Sequence, residues 1–429
     1  MTNVVDLCSN LIRIDSTNTG DLDTSAGERK AAEYVATVLS EAGIEPTVLE
    51  SAPGRTNLVA RIPGRDSSRG ALLVHGHLDV VPSDPGEWSV HPLSGEVKDG
   101  YVWGRGAIDM KDFDAMALAT VSGWQAEGYV PPRDIVLAFT ADEEAGGDYG
   151  AHFLVQRHPE LFEGCTEAIG EVGGYSVTVA PDLRLYLIQT AEKGIDWLRL
   201  HASGRPGHGS FVNDDNAVTA LCEAVAKLGR TQFPVVVTPT VRAFLDHVSE
   251  VLGVELDPDP EKAIAKLGPI ARIVGATIRN TANPTRLAAG YKDNVIPGKA
   301  SATIDCRTLP GFADEFQEQL RSIVGEQIEI ETVHHQEALE TTFDGPLVDA
   351  IAAALRAEDA GARPVPYMLS GGTDAKAFAT LGMRCFGFSP LKLPADLDFA
   401  ALFHGIDERV PTEGLEFGVR VLDRLLRSS

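Results

Sequence analysis

The stretch ALLVHGHLDVV, residues 71–81, runs from an apolar segment into a polar cluster, and IVLAFTADEEAGG, residues 135–147, repeats the pattern. Each apolar run stops at residues that can carry chemistry: His77 and Asp79 in the first, Glu143 and Glu144 in the second. Short unbroken apolar runs fit strands buried on both faces, as in a parallel sheet. Working outward, residues 57–62 and 168–169 supply further strand-like runs. Residues 4–14, 25–42 and 113–126 have helical spacing, the second closing at Ala42-Gly43 as a C-cap does. Strands separated by helices predict an α/β fold with a largely parallel sheet flanked by helices. Ligands of such sheets bind at the carboxyl ends of the strands, where these polar residues fall.

Near residue 192 the texture changes. Residues 195–201 and 300–305 alternate apolar and polar side chains, as half-buried antiparallel strands do, and 215–230 and 313–324 read as amphipathic helices. These predict an inserted α+β domain over 192–341, with a helical insertion of its own at about 231–268. A helix at 346–357 and a strand at 385–388 return to the first pattern, so the first domain comprises 1–191 and 342–429. Neither a repeat nor a low-complexity segment interrupts the chain.

With 429 residues, 44% hydrophobic and 23% charged, the chain has the composition of a globular protein of more than one domain. Its net charge of -25 repels phosphate backbones and anionic lipid heads, which argues against nucleic-acid and membrane partners. The five cysteines are scattered, never in a C-x-x-C pair, and read as reduced. The opening MTNVVDLCSNLIRIDS lacks the basic start and apolar core of a signal peptide, and no run reaches membrane-span length, so a cytoplasmic location is expected.

Five clusters carry the chemistry. In HGHLDVV, residues 75–81, His77 and Asp79 are spaced so that an extended backbone turns both to one side, and a carboxylate beside an imidazole orients a ligating ring. A strand-end histidine followed by an Asp turn is the alternative. In GRGAIDMKD, residues 104–112, two glycines permit an unusual backbone before Asp109, which is a ligand or a helix cap, with Asp112 competing for the capping role. In AFTADEEAGG, residues 138–147, adjacent Glu143 and Glu144 at the end of a buried strand raise each other's pKa unless a cation is near. One can bind metal while the other takes a proton from water. Glu171 in IGEVGG, residues 169–174, and His404 in LFHGIDERV, residues 402–410, complete the set. All are placed at strand ends. Nitrogen and oxygen donors without thiolates suit two divalent ions, zinc foremost, with cobalt or manganese as alternatives.

These residues, in this order and spacing, closely resemble the co-catalytic zinc metallopeptidase family of aminoacylase, glutamate carboxypeptidase, acetylornithine deacetylase and succinyl-diaminopimelate desuccinylase. HGHLDVVP, GRGAIDMK, ADEE, GRPGHGS, NVIPG and SGGTDA are each family-like, and the likeness runs through nearly the whole chain. The insertion after Phe233 and the run NTANPTRLAAGYKDNVIPGKA are similar to the carboxypeptidase S and aminoacylase-like branch. The resemblance implies a zinc-peptidase-like catalytic domain with an inserted lid and dimerisation domain. It implies that His77 and Glu171 complete one metal site and Glu144 and His404 the other, with Asp109 bridging. Glu143 would be the general base and Asp79 the support of His77. In the inserted domain His208 would stabilise the oxyanion, within or across subunits of a homodimer. Asn294, Arg307, Gly372 and Thr373 match substrate-binding positions. His208 also reads as an ordinary loop histidine, and Arg307 could equally pair with Asp305. Asp374 stands where some relatives have serine.

The reading is thus metal-dependent hydrolysis of an amide or peptide bond in a small carboxylate-bearing substrate: an N-acyl amino acid, a dipeptide or a short-peptide C-terminus. Two rivals keep the same site: a phosphoester hydrolase, disfavoured by the lack of a P-loop, and a silent metal- or amino-acid-binding relative, disfavoured by the presence of Glu143.

Overall fold

Strand Ala71–His77 is buried along its whole length, as an apolar run covered on both faces must be. In the computed structural model, which describes residues 3–267 and 270–429, it lies inside a ten-stranded sheet. Met1 and Thr2, where the expected first domain begins, and Gly268, where the expected insertion ends, lie outside the described residues. Ile135–Thr140 runs parallel to it on one side and Cys165–Gly170 on the other, so that Leu73 stands opposite both Val136 and Ala168. Arg384–Gly387 continues the parallel centre beyond Cys165–Gly170.

Antiparallel strands border this centre. Arg55–Ile62 pairs antiparallel with Ile135–Thr140 and Thr47–Ala52 with Arg55–Ile62, while Leu183–Glu192 runs antiparallel to Arg384–Gly387. Thr47–Ala52 has no buried residue, so it carries no apolar run that the sequence could reveal. Neighbouring side chains show which helix covers which face. The His75 ring packs on Phe378 of helix Ala375–Ala379. A Cβ at the next residue, Gly76, would fall 2.3 Å from Asp114 Oδ1 of helix Lys111–Glu127. Successive strand residues point to opposite faces, so these helices cover opposite sides of the sheet.

Two units divide the chain: Met1–Thr190 with Thr341–Tyr367 and Thr373–Ser429, and Ala191–Glu340 with Met368–Gly372. The second holds a four-stranded antiparallel sheet in the order Thr281–Ala289, Lys299–Thr308, Gly194–Ser203, Glu329–Gln336. Along Lys299–Thr308 alternate residues Ala300, Ala302, Ile304 and Cys306 are buried, the signature of a sheet covered on one face. They pack with Leu221 and Leu228 of helix Ala217–Arg230 and with Phe316 and Leu320 of helix Ala313–Val324. Within residues 231–267 the chain forms helices Pro239–Leu252 and Pro260–Ala265. No described helix is long and apolar enough to cross a membrane.

Candidate metal centre

His77 closes its strand, and its two ring nitrogens have different tasks. Nδ1 lies 3.0 Å from the backbone carbonyl of Asp79, which can only accept, so Nδ1 carries the hydrogen. Nε2 is then the free donor. It faces Asp109 Oδ1 at 3.1 Å and Glu171 Oε2 at 2.9 Å. A lone pair directed at two carboxylates is repulsive unless a proton or a metal ion lies between them. Glu171 Oε2 is buried and makes no hydrogen bond of its own among the described residues.

The second set begins at the other oxygen of Asp109. Its Oδ2 lies 3.3 Å from His404 Nε2, and that nitrogen lies 3.2 Å from Glu144 Oε2. Asp109 therefore divides its two oxygens between two imidazoles. Glu143 is held further off, its Oε2 3.9 Å from His77 Nε2. Among the described residues, His77–Glu143–Glu171 and His77–Asp109–Glu144 form three-donor groups whose ligand atoms lie within 4.8 Å of one another. The donor set is imidazole and carboxylate throughout, which suits divalent cations.

Asp109 and His404 do not stand at strand ends, contrary to the expectation from sequence. Asp109 lies in the turn before helix Lys111–Glu127, its peptide bond to Met110 cis, and His404 lies in a loop after a single 3-10 turn. Neither Asp109 nor Asp112 caps the helix: Met110 occupies the cap without a side-chain bond, and Asp112 is buried in the first turn. Glycines shape the turn. Gly104 and Gly106 have φ of +151 and +85, and a Cβ there would fall 2.3 Å from Ile12 Cγ2 and 2.7 Å from Val80 Cγ1. Glu408 then ties the two loops together. One of its oxygens accepts from Arg105 Nη1 at 2.7 Å and the other from the Ile108 N–H at 2.9 Å. Asp142, Val172 and His404 all have left-handed φ, and each is a site residue or next to one. Strain of this kind collects where surrounding structure fixes a functional geometry.

Asp79 does more than flank His77. Its carboxylate is 3.5 Å from Nδ1, but its two oxygens accept the N–H groups of Glu143 and Glu144, each at 3.1 Å. Thr140 Oγ1 donates to Asp374 at 2.6 Å, which puts a further buried carboxylate at the end of strand Ile135–Thr140. Thr373 Oγ1 accepts the Ala375 N–H at 3.1 Å.

The remaining expected residues belong to the second unit. His208 and Asn294 are neighbours there: Gly207–His208 pairs with Val295–Ile296, and the Gly209 N–H donates to the Asn294 carbonyl at 2.9 Å. His208 Nδ1 is 2.8 Å from Ser210 Oγ. Arg307 lies on the four-stranded sheet, and its guanidinium forks onto Asp305 at 2.7 and 3.1 Å. Gly372 also falls in this unit.

The charges of the metal-free cluster lean on one another. Burial alone would lower His77, but Glu171, Asp109 and Asp79 lift it well above the usual imidazole range. Hydrogen bonds to Asp109 and Glu144 raise His404 to about 10. Burial pushes Glu171 up to about 8 against the pull of His77. Glu143 rises through burial and the charge of Glu171, and Glu144 through burial and Asp109. Asp109 goes the other way, because the two imidazoles outweigh its burial. Protons here compensate crowded carboxylates, which is the task of a bound dication.

Residues 73–428 match the model of peptidase family M20/M25/M40. The chain belongs to that family. It is 26% identical to N-fatty-acyl-amino acid synthase/hydrolase PM20D1 of Xenopus tropicalis over 423 residues, 94% of this chain and 80% of that protein. With aminoacylase-1 of Homo sapiens it shares 28% identity over 386 residues, 88% of this chain and 84% of that one. The M20 family metallo-carboxypeptidase Sso-CP2 from Sulfolobus solfataricus has the same fold, with a TM-score of 0.75 and 17% identity, covering 100% of this chain and 99% of that one. As an M20/M25/M40 member with this donor set, the chain is an enzyme that uses metal ions to hydrolyse amide or peptide bonds.

Sequence reading missed the residues that hold the site residues in place. Asn18, Arg55, Glu408 and Arg105 are all buried, and they bond to partners as far as 124 and 303 positions away.

Proposed function

We propose that this chain hydrolyses the amide bond of a small substrate bearing a free carboxylate: an N-acyl amino acid, a dipeptide or the C-terminal residue of a short peptide. The carrying observation is the division of the Asp109 oxygens between the His77–Glu171 and Glu144–His404 sets, with Glu143 Oε2 farther off, 3.9 Å from His77 Nε2. Two divalent ions bound there, zinc first and cobalt or manganese as alternatives, supply a Lewis acid and a water acidified toward neutral pH.

Glu143 is the proton carrier. It takes a proton from the attacking water and delivers it to the leaving amine. Asp79 fixes the backbone of the Glu143–Glu144 turn and keeps His77 with Nε2 free. His208 donates to the oxyanion as the carbonyl becomes tetrahedral, and Asn294, its neighbour, holds the substrate backbone. Arg307 exchanges Asp305 for the substrate carboxylate, whose two oxygens suit its fork. Gly372 and Thr373 line the substrate's path.

The domain assignment follows the same reading: a catalytic domain of 1–191 and 342–429 and an inserted lid and dimerisation domain of 192–341. A cytoplasmic homodimer is part of the proposal. The deciding experiment measures bound metal and turnover together on a panel of N-acyl amino acids, dipeptides and a phosphoester. Two metals per chain with turnover only on amides supports the proposal. Two metals with no turnover, or turnover on the phosphoester, contradicts it.

A further inference from the structure

Glu143 and Glu144 sit on a three-residue 3-10 turn, Glu143–Ala145, that has no side-chain cap of its own. Its leading N–H groups are orphan donors, of the kind every helical turn must satisfy from outside. Asp79 satisfies both, one oxygen for each. The backbone of the two glutamates is therefore only as well placed as the Asp79 carboxylate.

Buried Asn18, itself held by Arg55, places that carboxylate. Asn18 Nδ2 donates to Asp79 Oδ2 at 2.8 Å and to Asp142 Oδ1, on the residue before Glu143, at 3.2 Å. Asp142 Oδ2 in turn accepts the Tyr149 N–H at 3.0 Å. Asn18 Oδ1 accepts from Arg55 Nη2 at 2.8 Å. A guanidinium cannot accept, so this bond fixes which end of the Asn18 amide faces the carboxylates. Arg55 Nη1 bonds Glu28 Oε1 at 2.6 Å, and its Nη2 is 3.5 Å from Asp142 Oδ1. Asn18, Arg55, Glu28 and Asp79 are all at most 4% exposed. A continuous buried chain thus runs from Glu28 through Arg55 and Asn18 to the peptide N–H groups of both glutamates.

We infer that Asn18 and Arg55 are positioning residues for the Glu143–Glu144 turn, acting through Asp79 and Asp142 on both the base and a metal ligand. This rests on the reading of Glu143 and Glu144 given above. Among the described residues Asn18 and Arg55 bond to carboxylates and to each other, not to the imidazoles; what they set is the location of two carboxylates, and a displacement of about 1 Å at a reacting group costs on the order of 100-fold in rate.

The test compares Asn18→Ala, Arg55→Lys and the double variant in the full chain, with the best amide substrate of the panel. Arg55→Lys keeps a cation for Glu28 and loses the fork to Asn18, so it carries the test even if Asn18→Ala fails to fold. In each single variant kcat falls about 10- to 100-fold, with KM changed less than about twofold, and zinc affinity measured by chelator competition on the resting protein weakens about tenfold. Because both residues act mainly along one chain, with a second contact from Arg55 to Asp142, the losses in the double variant combine to less than their product. Wild-type kcat and zinc affinity in a folded single variant overturn the inference, as does a lowered thermal midpoint with both unchanged. Multiplying losses in the double variant overturn it too. The zinc measurement needs no turnover, so it distinguishes failure of this inference from failure of the Glu143 assignment, which an active Glu143→Ala enzyme would reveal.

Discussion

Replacing Glu408 with alanine should loosen the junction between the Asp109 turn and the His404 loop. Glu408 is fully buried, and both of its oxygens are engaged, with Arg105 Nη1 at 2.7 Å and the Ile108 N–H at 2.9 Å. Arg105 is 4% exposed, and without Glu408 its guanidinium keeps, among the described residues, the Trp88 ring at 5.1 Å and the His404 carbonyl at 3.5 Å. Removing one partner of a buried ion pair costs roughly 3–5 kcal/mol. The orphaned Ile108 N–H adds about 1–3 kcal/mol, reduced if water enters the gap. Together these ranges reach about 4–8 kcal/mol. Burial raises the folded-state pKa of Glu408, so its ionisation above about pH 7 already costs part of this. A loss of about 4 kcal/mol is therefore expected, which a chain of ordinary stability survives. Glutamine is no substitute, because its single amide oxygen leaves an NH2 group facing one of the two donors. The assay is urea unfolding of the metal-free chain at pH 8.5, above the value of about 7 to which burial lifts Glu408, so that the carboxylate is charged. Trp88, Trp103 and Trp124 lie in the first unit and Trp197 alone in the second, so tryptophan fluorescence reports mainly on the unit in question. A loss below about 0.5 kcal/mol, the range of ordinary surface substitutions, would refute the clamp.

Three further outcomes follow from the same geometry. His404→Ala should lower bound zinc from two ions per chain to about one, by elemental analysis after dialysis; retention of both contradicts the assignment of His404. Zinc affinity should rise with pH, because His404, lifted to about 10, must release its proton before Nε2 can ligate. Below that value each proton displaced is worth about tenfold per pH unit, so a flat affinity between pH 6 and 8 contradicts the compensation argument. Arg307→Lys keeps the charge and loses the fork, so KM should rise about tenfold with kcat nearly unchanged; an unaltered KM removes Arg307 from carboxylate binding.

The parallel centre of the sheet was legible because its strands are apolar along their length: Ala71–His77 and Ile135–Thr140 are wholly buried. The one-faced sheet showed equally well in the alternation of Lys299–Thr308. Edge strand Thr47–Ala52 was not legible, since partial exposure leaves no periodic signal. The glutamate pair and HGH stood out at strand ends, whereas Asp109 and His404 lie on loops whose approach depends on Glu408, some 300 residues from its partners. The buried charges were hidden for a related reason. Lys111, Asp112 and Asp114 read as an ordinary charged helix start, yet all three are at most 1% exposed. Asn18 and Arg55 look like loop and turn residues until the fold brings Asp79 and Asp142 to them.

The most direct test of the account is Glu143→Ala, assayed for bound metal and for turnover in the same preparation. The account predicts two metal ions per chain, because Glu143 Oε2 is farther from His77 Nε2 than Asp109 or Glu171 is and each set keeps its other donors. It also predicts a kcat reduced at least about 100-fold, the lower range for loss of a general base. Wild-type-like turnover, or loss of a metal ion along with activity, would contradict it.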